Sequence, residues 1–175
     1  METLIGTTKV ESVVGDITRQ NDLDCVVNAA NAQLMPGGGV AGAIHRAAGP
    51  QLAAACAPLA PIAPGEAVIT PGFDLPNAYV IHCLGPVHGL DHPADRLLAA
   101  CYENALRLAH REGIRSIGFP AISTGAFGYP PEDAAHVARR TVQSVMAELS
   151  GPELVRFVFF SESDRRLFDS SDDWT

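Results

Sequence analysis

The chain has 175 residues and a net charge of −8, and hydrophobic residues make up 47% of it. This is the composition of a globular protein with a hydrophobic core, and the acidic balance argues against a broad nucleic-acid-binding surface, which needs clustered lysine and arginine. No apolar run approaches the ~20 residues of a membrane span, and residues 1–9 lack the basic and apolar regions of a signal peptide. We therefore expect one monomeric, cytoplasmic domain over residues 1–175.

The first third of the chain alternates short apolar runs with segments of helical spacing. Val10–Val14 is predicted as a strand, and the compact apolar run Asp24–Asn28 as a strand buried on both faces. Val40–Ala48 has helical spacing and stops at a Gly-Pro pair. The alanine-rich Gln51–Leu59 continues as a second helix.

The middle of the chain has the same alternation. Glu66–Thr70 and Ala78–Leu84 are predicted as strands separated by a segment rich in turn residues. Asp91–Glu112 carries one apolar stripe at helical spacing and is predicted as the longest helix. Ser116–Phe119 follows as a strand.

The last third predicts two helices around one strand. Pro131–Leu149 is a helix that starts with proline, Leu154–Phe160 is rich in β-formers, and Ser161–Phe168 is a short final helix. Strands that alternate with helices indicate an α/β fold with a mixed, mostly parallel sheet covered on both faces. Such sheets bind ligands beyond the carboxyl ends of their strands.

Two glycine-rich segments follow predicted strands, at Gly37–Gly42 and Ser123–Gly128, and each leads into a predicted helix. Glycine allows positive φ and a close approach of the backbone to a ligand, and a helix N-terminus presents free N–H groups to anions. Asp16 also follows a strand, so all three should meet at one edge of the sheet. Two such loops indicate a ligand with two phosphates, held from both sides.

Two other interpretations fit the sequence less well. Gly37–Gly42 matches the dinucleotide-binding pattern G-x-G-x-x-G, but the acidic residue expected about 20 residues further on is absent. His82, His88 and His92 lack the spacing of metal ligands, and the four scattered cysteines form no C-x-x-C pair. We expect no metal, no disulfide framework and no cofactor.

Taken together, the motifs resemble the macro domain family, particularly its MacroD-type ADP-ribosyl hydrolase branch. The resembling segments occur in family order and are 15–18 (Gly-Asp-Ile-Thr), 27–31 (Val-Asn-Ala-Ala-Asn), 37–40 (Gly-Gly-Gly-Val), 43–50 (Ala-Ile-His-Arg-Ala-Ala-Gly-Pro), 81–86 (Ile-His-Cys-Leu-Gly-Pro) and 119–130. The resemblance implies a three-layer α/β/α macro domain that binds ADP-ribose.

The resemblance also assigns parts of ADP-ribose to particular residues. Asp16, beside Ile17, would accept a hydrogen bond from the adenine amine, and Phe160 would pack against the base. A turn residue and a core residue, respectively, are the alternatives for Asp16 and Phe160.

The same resemblance places the diphosphate and the distal ribose between the two loops. Asn31 would bind the ribose hydroxyls, since its amide both donates and accepts. The loop residues implied in binding are Gly37, Gly38, Gly39, Val40 and Ala41 in the first loop, and Ser123, Thr124, Gly125, Ala126 and Phe127 in the second.

One departure from the family concerns the reaction. In hydrolases of this branch an aspartate that orients water follows Gly-Gly-Gly-Val, and Ala41 stands there instead. His45 lies one helical turn further, on the same face, and matches a family histidine. Because the only lysine, Lys9, is far from this loop in sequence, a lysine base is not expected.

We expect hydrolysis of the bond between the distal ribose and an acceptor, by a variant mechanism with Asn31 and His45 as catalytic residues. The candidate acceptors are protein carboxylates, O-acetyl-ADP-ribose and ADP-ribosylated nucleic acid. A non-catalytic ADP-ribose reader is the alternative, because alanine cannot position water.

Overall fold

A computed structural model describes residues 1–170 and contains a seven-stranded sheet. The strands are β1 (Glu2–Ile5), β2 (Thr8–Val14), β3 (Cys25–Ala29), β4 (Ala67–Pro71), β5 (Tyr79–Cys83), β6 (Ser116–Phe119) and β7 (Leu154–Phe159). They lie in the order β1-β2-β7-β6-β3-β5-β4. The outer pairs β1–β2 and β4–β5 are antiparallel and the inner pairs are parallel, which confirms the mixed, mostly parallel sheet.

The helices lie close to their predicted positions. They are α1 (Gly39–Ala48), α2 (Pro50–Cys56), α3 (Ala94–Arg111), α4 (Pro131–Glu148) and α5 (Glu162–Asp169), with 3₁₀ turns at Ile17–Arg19 and Ala57–Leu59. The third helix begins three residues later than predicted. Asp91 belongs to a turn instead, where its carboxylate accepts the Val87 N–H at 2.8 Å.

The core lies on both faces of the sheet, and β3 shows how the sequence divides between them. Cys25 and Val27 are fully buried against α3 and α4, whereas Val26 is fully buried against α1 and α2. Successive side chains of a strand point to opposite faces, so a continuous apolar run is what a strand covered on both sides requires. The three-layer α/β/α prediction is confirmed.

Sequence reasoning missed β1. Its exposed and half-buried residues alternate, and Leu4 is 72% exposed, so the segment has little apolar signal. Its position comes from pairing: Glu2 to Ile5 align antiparallel with Glu11 to Thr8 at the edge of the sheet.

The parallel core sets the position of the site. β2, β3, β6 and β7 run in one direction, so the segments that follow them meet at one edge. Among residues 1–170, no helix has the length and hydropathy to cross a membrane. The expected domain also includes residues 171–175, which lie outside the described part of the chain.

Candidate functional site

A cleft of about 530 Å³ opens at this edge, in the size range of pockets that hold small molecules and cofactors. Its walls come from the two glycine-rich loops and from residues that follow β2 and β7. The predicted ligand residues that line it are Ile17, Asn31, Gly37, Gly38, Gly39, Val40, Ala41, Ser123, Thr124, Gly125, Ala126, Phe127 and Phe160. The fold thus brings together residues far apart in sequence, and their contact with a ligand stays a prediction.

Asp16 stands beside the cleft, between the lining residues Gly15 and Ile17 in sequence. Its Oδ1 accepts hydrogen bonds from the Thr18 N–H at 2.9 Å and the Thr18 hydroxyl at 2.7 Å, which caps the 3₁₀ turn. The bond from the Thr18 hydroxyl, helped by that from its N–H, lowers the pKa of Asp16, so the carboxylate is ionised at neutral pH. Within residues 1–170 the nearest cation to Oδ2 is Arg19 Nε, at 3.9 Å. Asp16 is therefore a turn residue, and its binding of a ligand through Oδ2 stays a prediction.

Phe160 follows the last residue of β7 and is 84% exposed. The alternative of an ordinary core residue is therefore wrong. The strand ends one residue earlier than predicted, and Phe160 lies on the cleft wall with one face open to a partner. An exposed aromatic ring beside a cleft is suited to stacking on a base.

The second loop is closed by its own hydrogen bonds. Tyr129 N–H donates to the Ser123 carbonyl at 2.9 Å, and Gly128 N–H donates to the Gly125 carbonyl at 3.0 Å. Ser123 has φ +66, a left-handed conformation that a serine adopts at a cost. Within residues 1–170, the N–H groups of residues 124–126 have no hydrogen-bond acceptor, which is the arrangement of an anion-binding loop.

The first loop runs directly into α1. Gly39 has φ +57, a left-handed conformation that favours glycine. Gly38 has φ −83 and Gly125 is not in the left-handed region, so at these two positions glycine only keeps the cleft wall clear of a side chain. The first amides of α1 are unpaired as in any helix start, and their residues line the same cleft as residues 124–126.

Asn31 and Phe127 lie toward the first loop. Asn31 Nδ2 donates to the Met35 carbonyl at 2.8 Å and its Oδ1 accepts the Met35 N–H at 3.0 Å, which holds the loop in shape. The amide retains one N–H and one lone pair for a ligand. The Phe127 carbonyl accepts the His88 N–H at 2.8 Å, which fixes the backbone of this cleft-lining residue.

Ala41 lines the cleft, but His45 does not. His45 is one turn deeper on α1 and 6% exposed, and neither ring nitrogen has a hydrogen-bond partner among residues 1–170. Burial lowers the pKa of His45, so the ring is neutral at pH 7. This position suits a brace behind the loop, and a catalytic role for His45 stays a prediction.

His82 belongs to a buried polar group behind the cleft. One ring nitrogen lies 3.0 Å from Asn28 Nδ2 and the other lies 2.9 Å from the Thr70 hydroxyl. Burial, with a smaller repulsion from His45, lowers the pKa of His82 to about 4. Both His82 and Asn28 are structural, and the described residues 1–170 contain no group of three or more side chains that could hold a metal.

Gly85 and Asp164 also line the cleft, although neither was predicted as a ligand residue. A Cβ on Gly85 would lie 2.1 Å from Ser123 Oγ, so this glycine makes room for the second loop. Gly85 directly follows the predicted strand Ala78–Leu84, and this position could have identified it as a residue of the cleft. Asp164 reaches the cleft only because α5 folds back over β7, which its sequence does not indicate.

Curated relatives match this chain over most of its length. A macro domain-containing protein of Chlorobaculum tepidum is 48% identical over 163 residues, which are 93% of this chain and 94% of that protein. An O-acetyl-ADP-ribose deacetylase of Klebsiella pneumoniae is 49% identical over 90% of this chain and 93% of its own.

Solved structures agree with the sequence comparisons. The Oceanobacillus iheyensis macrodomain with ADP has a TM-score of 0.93 and 42% identity, covering 97% of this chain and 93% of its own. The Trypanosoma brucei macrodomain in complex with ADP-ribose has a TM-score of 0.86 and 38% identity, covering 92% of this chain and 68% of its own. The family model described as Macro domain matches residues 27–138. The chain therefore belongs to the macro domain family.

Proposed function

We propose that this protein binds ADP-ribose and hydrolyses the bond between its distal ribose and an acceptor. The observation that carries the proposal is one cleft lined by two sets of unpaired amides, in Gly39–Ala41 and in residues 124–126. ADP-ribose carries two phosphates between an adenosine and a second ribose, and needs anion donors in the middle of an elongated site. The relative named as a deacetylase and the complexes of related macrodomains with ADP and ADP-ribose support the same ligand.

The ends of the cleft differ, and this difference orients the ligand. The adenine lies at Asp16, Ile17 and Phe160, where a carboxylate oxygen and an exposed ring are available. The distal ribose lies at Asn31 and Phe127, where an amide keeps unused hydrogen-bonding capacity. The bond to be cleaved is then next to Ala41.

The missing carboxylate changes how water is positioned. Asn31, the loop N–H groups and the phosphates of the substrate hold the attacking water, with His45 behind Ala41 as a neutral base or brace. Where water attacks the anomeric carbon of an ester-linked ribose, the bond to the ester oxygen breaks and a carboxylate leaves. A carboxylate is a good leaving group, so positioning and charge stabilisation lower much of the barrier. Loss of one acid/base group typically costs about 10²–10⁴-fold in rate, which leaves a measurable reaction.

O-acetyl-ADP-ribose is the first acceptor we propose, because a 49% identical relative is named for its deacetylation. Protein carboxylate esters present the same ester bond. ADP-ribosylated nucleic acid is the third, although a net charge of −8 opposes the approach of a polyanion. We place this activity in a monomeric, cytoplasmic, single-domain protein that needs no cofactor.

A non-catalytic reader of ADP-ribose is the second candidate. Ala41 favours it, since an alanine on the wall where water must attack supplies no base. A reader would bind ADP-ribose through the same loops and release no product from any acceptor.

The test measures ADP-ribose released from O-acetyl-ADP-ribose, an ADP-ribosylated protein carboxylate and ADP-ribosylated DNA. The native chain should cleave at least one of them, and Asn31→Ala should slow it more than His45→Ala. Ala41→Asp should raise the rate with little change in ADP-ribose affinity. Ala41→Asn adds a side chain of nearly the same size as aspartate but without the carboxylate, so it should not raise the rate. Native inactivity on every acceptor, with ADP-ribose still bound, would establish the reader.

A further inference from the structure

Arg156, in the middle of β7, has its side chain only 13% exposed and makes an extended set of polar contacts. Its Nε donates to Glu11 Oε1 at 2.7 Å, and its two terminal nitrogens hold Asp22 with bonds of 2.8 and 2.7 Å. This bidentate fork ties two strands to the segment that follows the 3₁₀ turn. The hydrogen bonds to Asp22 and Glu11 raise the pKa of Arg156, which is always charged.

One contact of Arg156 leads toward the cleft. Its Nη1 also donates to Gln20 Oε1 at 3.0 Å, and Gln20 Nε2 donates to the Asp16 carbonyl at 2.8 Å. Gln20 is 8% exposed, and a Cβ on Gly15, a cleft residue, would lie 3.4 Å from the same Nε2. The Gln20 amide therefore lies directly beneath the turn and joins the guanidinium to it.

This link is one of two bonds that hold the peptide between Asp16 and Ile17, because the Asp16 carbonyl also accepts the Arg19 N–H of the 3₁₀ turn at 3.0 Å. A trans peptide is planar, so its C=O and N–H point in opposite directions. A hydrogen bond that fixes the Asp16 carbonyl toward Gln20 also fixes the Ile17 N–H away from it. It fixes as well the Cα from which the Asp16 carboxylate extends.

We propose that Arg156 is a positioning residue for base recognition, acting through Gln20 on the Asp16 turn. The inference rests on the proposed function, because it takes the base to be the adenine of ADP-ribose. Arg156 touches no ligand. It sets where the Asp16 carboxylate stands, and thereby how strongly the site prefers a base with an exocyclic amine.

The experiment compares the affinity for ADP-ribose with that for its hypoxanthine analogue, in which the exocyclic amine is replaced by a carbonyl oxygen. Arg156→Met keeps most of the stem but removes the fork, and Gln20→Met breaks only the link to Asp16 while Arg156 keeps Glu11 and Asp22. The matched control is Arg107→Met, which removes a guanidinium paired with Glu103 and Glu148 at 3.0 and 2.8 Å, outside the residues that line the cleft. Calorimetry is run below the melting temperature of each variant.

The native protein should prefer ADP-ribose, and both Arg156→Met and Gln20→Met should reduce that preference about tenfold, the scale of one hydrogen bond to a charged group. Arg107→Met should leave the preference unchanged. Arg156→Lys should not restore it, because an ammonium cannot hold Asp22 and Gln20 together.

If Arg156 and Gln20 only stabilise the fold, both variants should melt at lower temperatures while the ratio of the affinities for ADP-ribose and its hypoxanthine analogue stays at the native value. That result overturns the inference. Gln20→Met decides the matter if Arg156→Met does not fold. A native chain that binds both nucleotides equally overturns the inference but leaves ADP-ribose binding intact. A native chain that binds neither overturns the proposed function itself.

Discussion

The Asp16 carboxylate has two tasks, and two substitutions separate them. Oδ1 caps the 3₁₀ turn through Thr18, while Oδ2 is the oxygen that we propose binds the base. Asp16→Ala removes both, whereas Asp16→Asn keeps an oxygen for the cap and replaces the other with an NH₂ donor. An NH₂ group facing the adenine amine places two donors against each other, so Asn should bind no better than Ala.

The expected loss of ADP-ribose affinity depends on how exposed the Asp16 side chain is. A hydrogen bond to a charged group contributes about 1.5–3 kcal/mol, and the Asp16 side chain is 49% exposed, which screens it toward the lower end. We expect ADP-ribose affinity to fall about 10-fold, or ~1.4 kcal/mol, in both variants. Loss of the cap should lower the free energy of unfolding by about 1 kcal/mol in Asp16→Ala and by little in Asp16→Asn.

Calorimetry with ADP-ribose and urea unfolding measure the two quantities separately. Asp24→Asn is the control, because Asp24 also accepts a backbone N–H, from Arg115 at 2.9 Å, outside the residues that line the cleft. Native affinity in Asp16→Asn would refute the assignment of Oδ2 to the adenine. Equal loss of stability in both variants would refute the assignment of Oδ1 to the cap.

Two further predictions concern the loops and the buried histidine. Gly125→Val and Gly38→Val should leave the melting temperature near the native value, because a Cβ at either position meets nothing within 4 Å. Both should abolish ADP-ribose binding by filling the cleft, so normal calorimetric binding in either one would show that the loop does not hold the phosphates. For His82, the folded pKa is about 4 and the unfolded pKa is about 6.5, so the unfolded state binds more protons between these values. The free energy of unfolding should therefore fall by about 3 kcal/mol as the pH drops from about 6.5 to about 4, and His82→Gln should flatten that slope in urea titrations.

Much of the fold was predictable because the pattern of apolar residues in each segment matches the burial of that segment in the structure. The run Asp24–Asn28 is apolar on both sides because helices cover both faces of the sheet, and β3 lies within one residue of it. The start of α3 was displaced since a proline and an Asp91 side-chain bond hold residues 91–93 in a turn. β1 was missed because an edge strand with an exposed Leu4 depends on pairing that no local pattern records.

The sequence predicted those parts of the candidate site that are formed by backbone groups of the loops. It did not predict those that depend on contacts between side chains far apart in sequence. Glycine and strand ends located both loops, since these features are local. The burial of His45 depends on how α1 packs, and helical spacing placed it only on the same face as Ala41. The link from Arg156 through Gln20 to Asp16 spans 140 residues of sequence and has no motif.

The acidic composition is compatible with the proposed anion-binding cleft because the two act at different ranges. Among the described residues that line the cleft there is no lysine or arginine, and Asp164 is present. Charges of one sign govern the approach of a ligand over a Debye length of about 8 Å at physiological salt, whereas N–H dipoles act within hydrogen-bond distance. In the proposed function, a net charge of −8 slows the encounter with a diphosphate and disfavours polyanions, while the amides of the two loops determine whether a small dianion is held. Net charge therefore argues against a nucleic-acid surface but carries no information about loops that would hold phosphates.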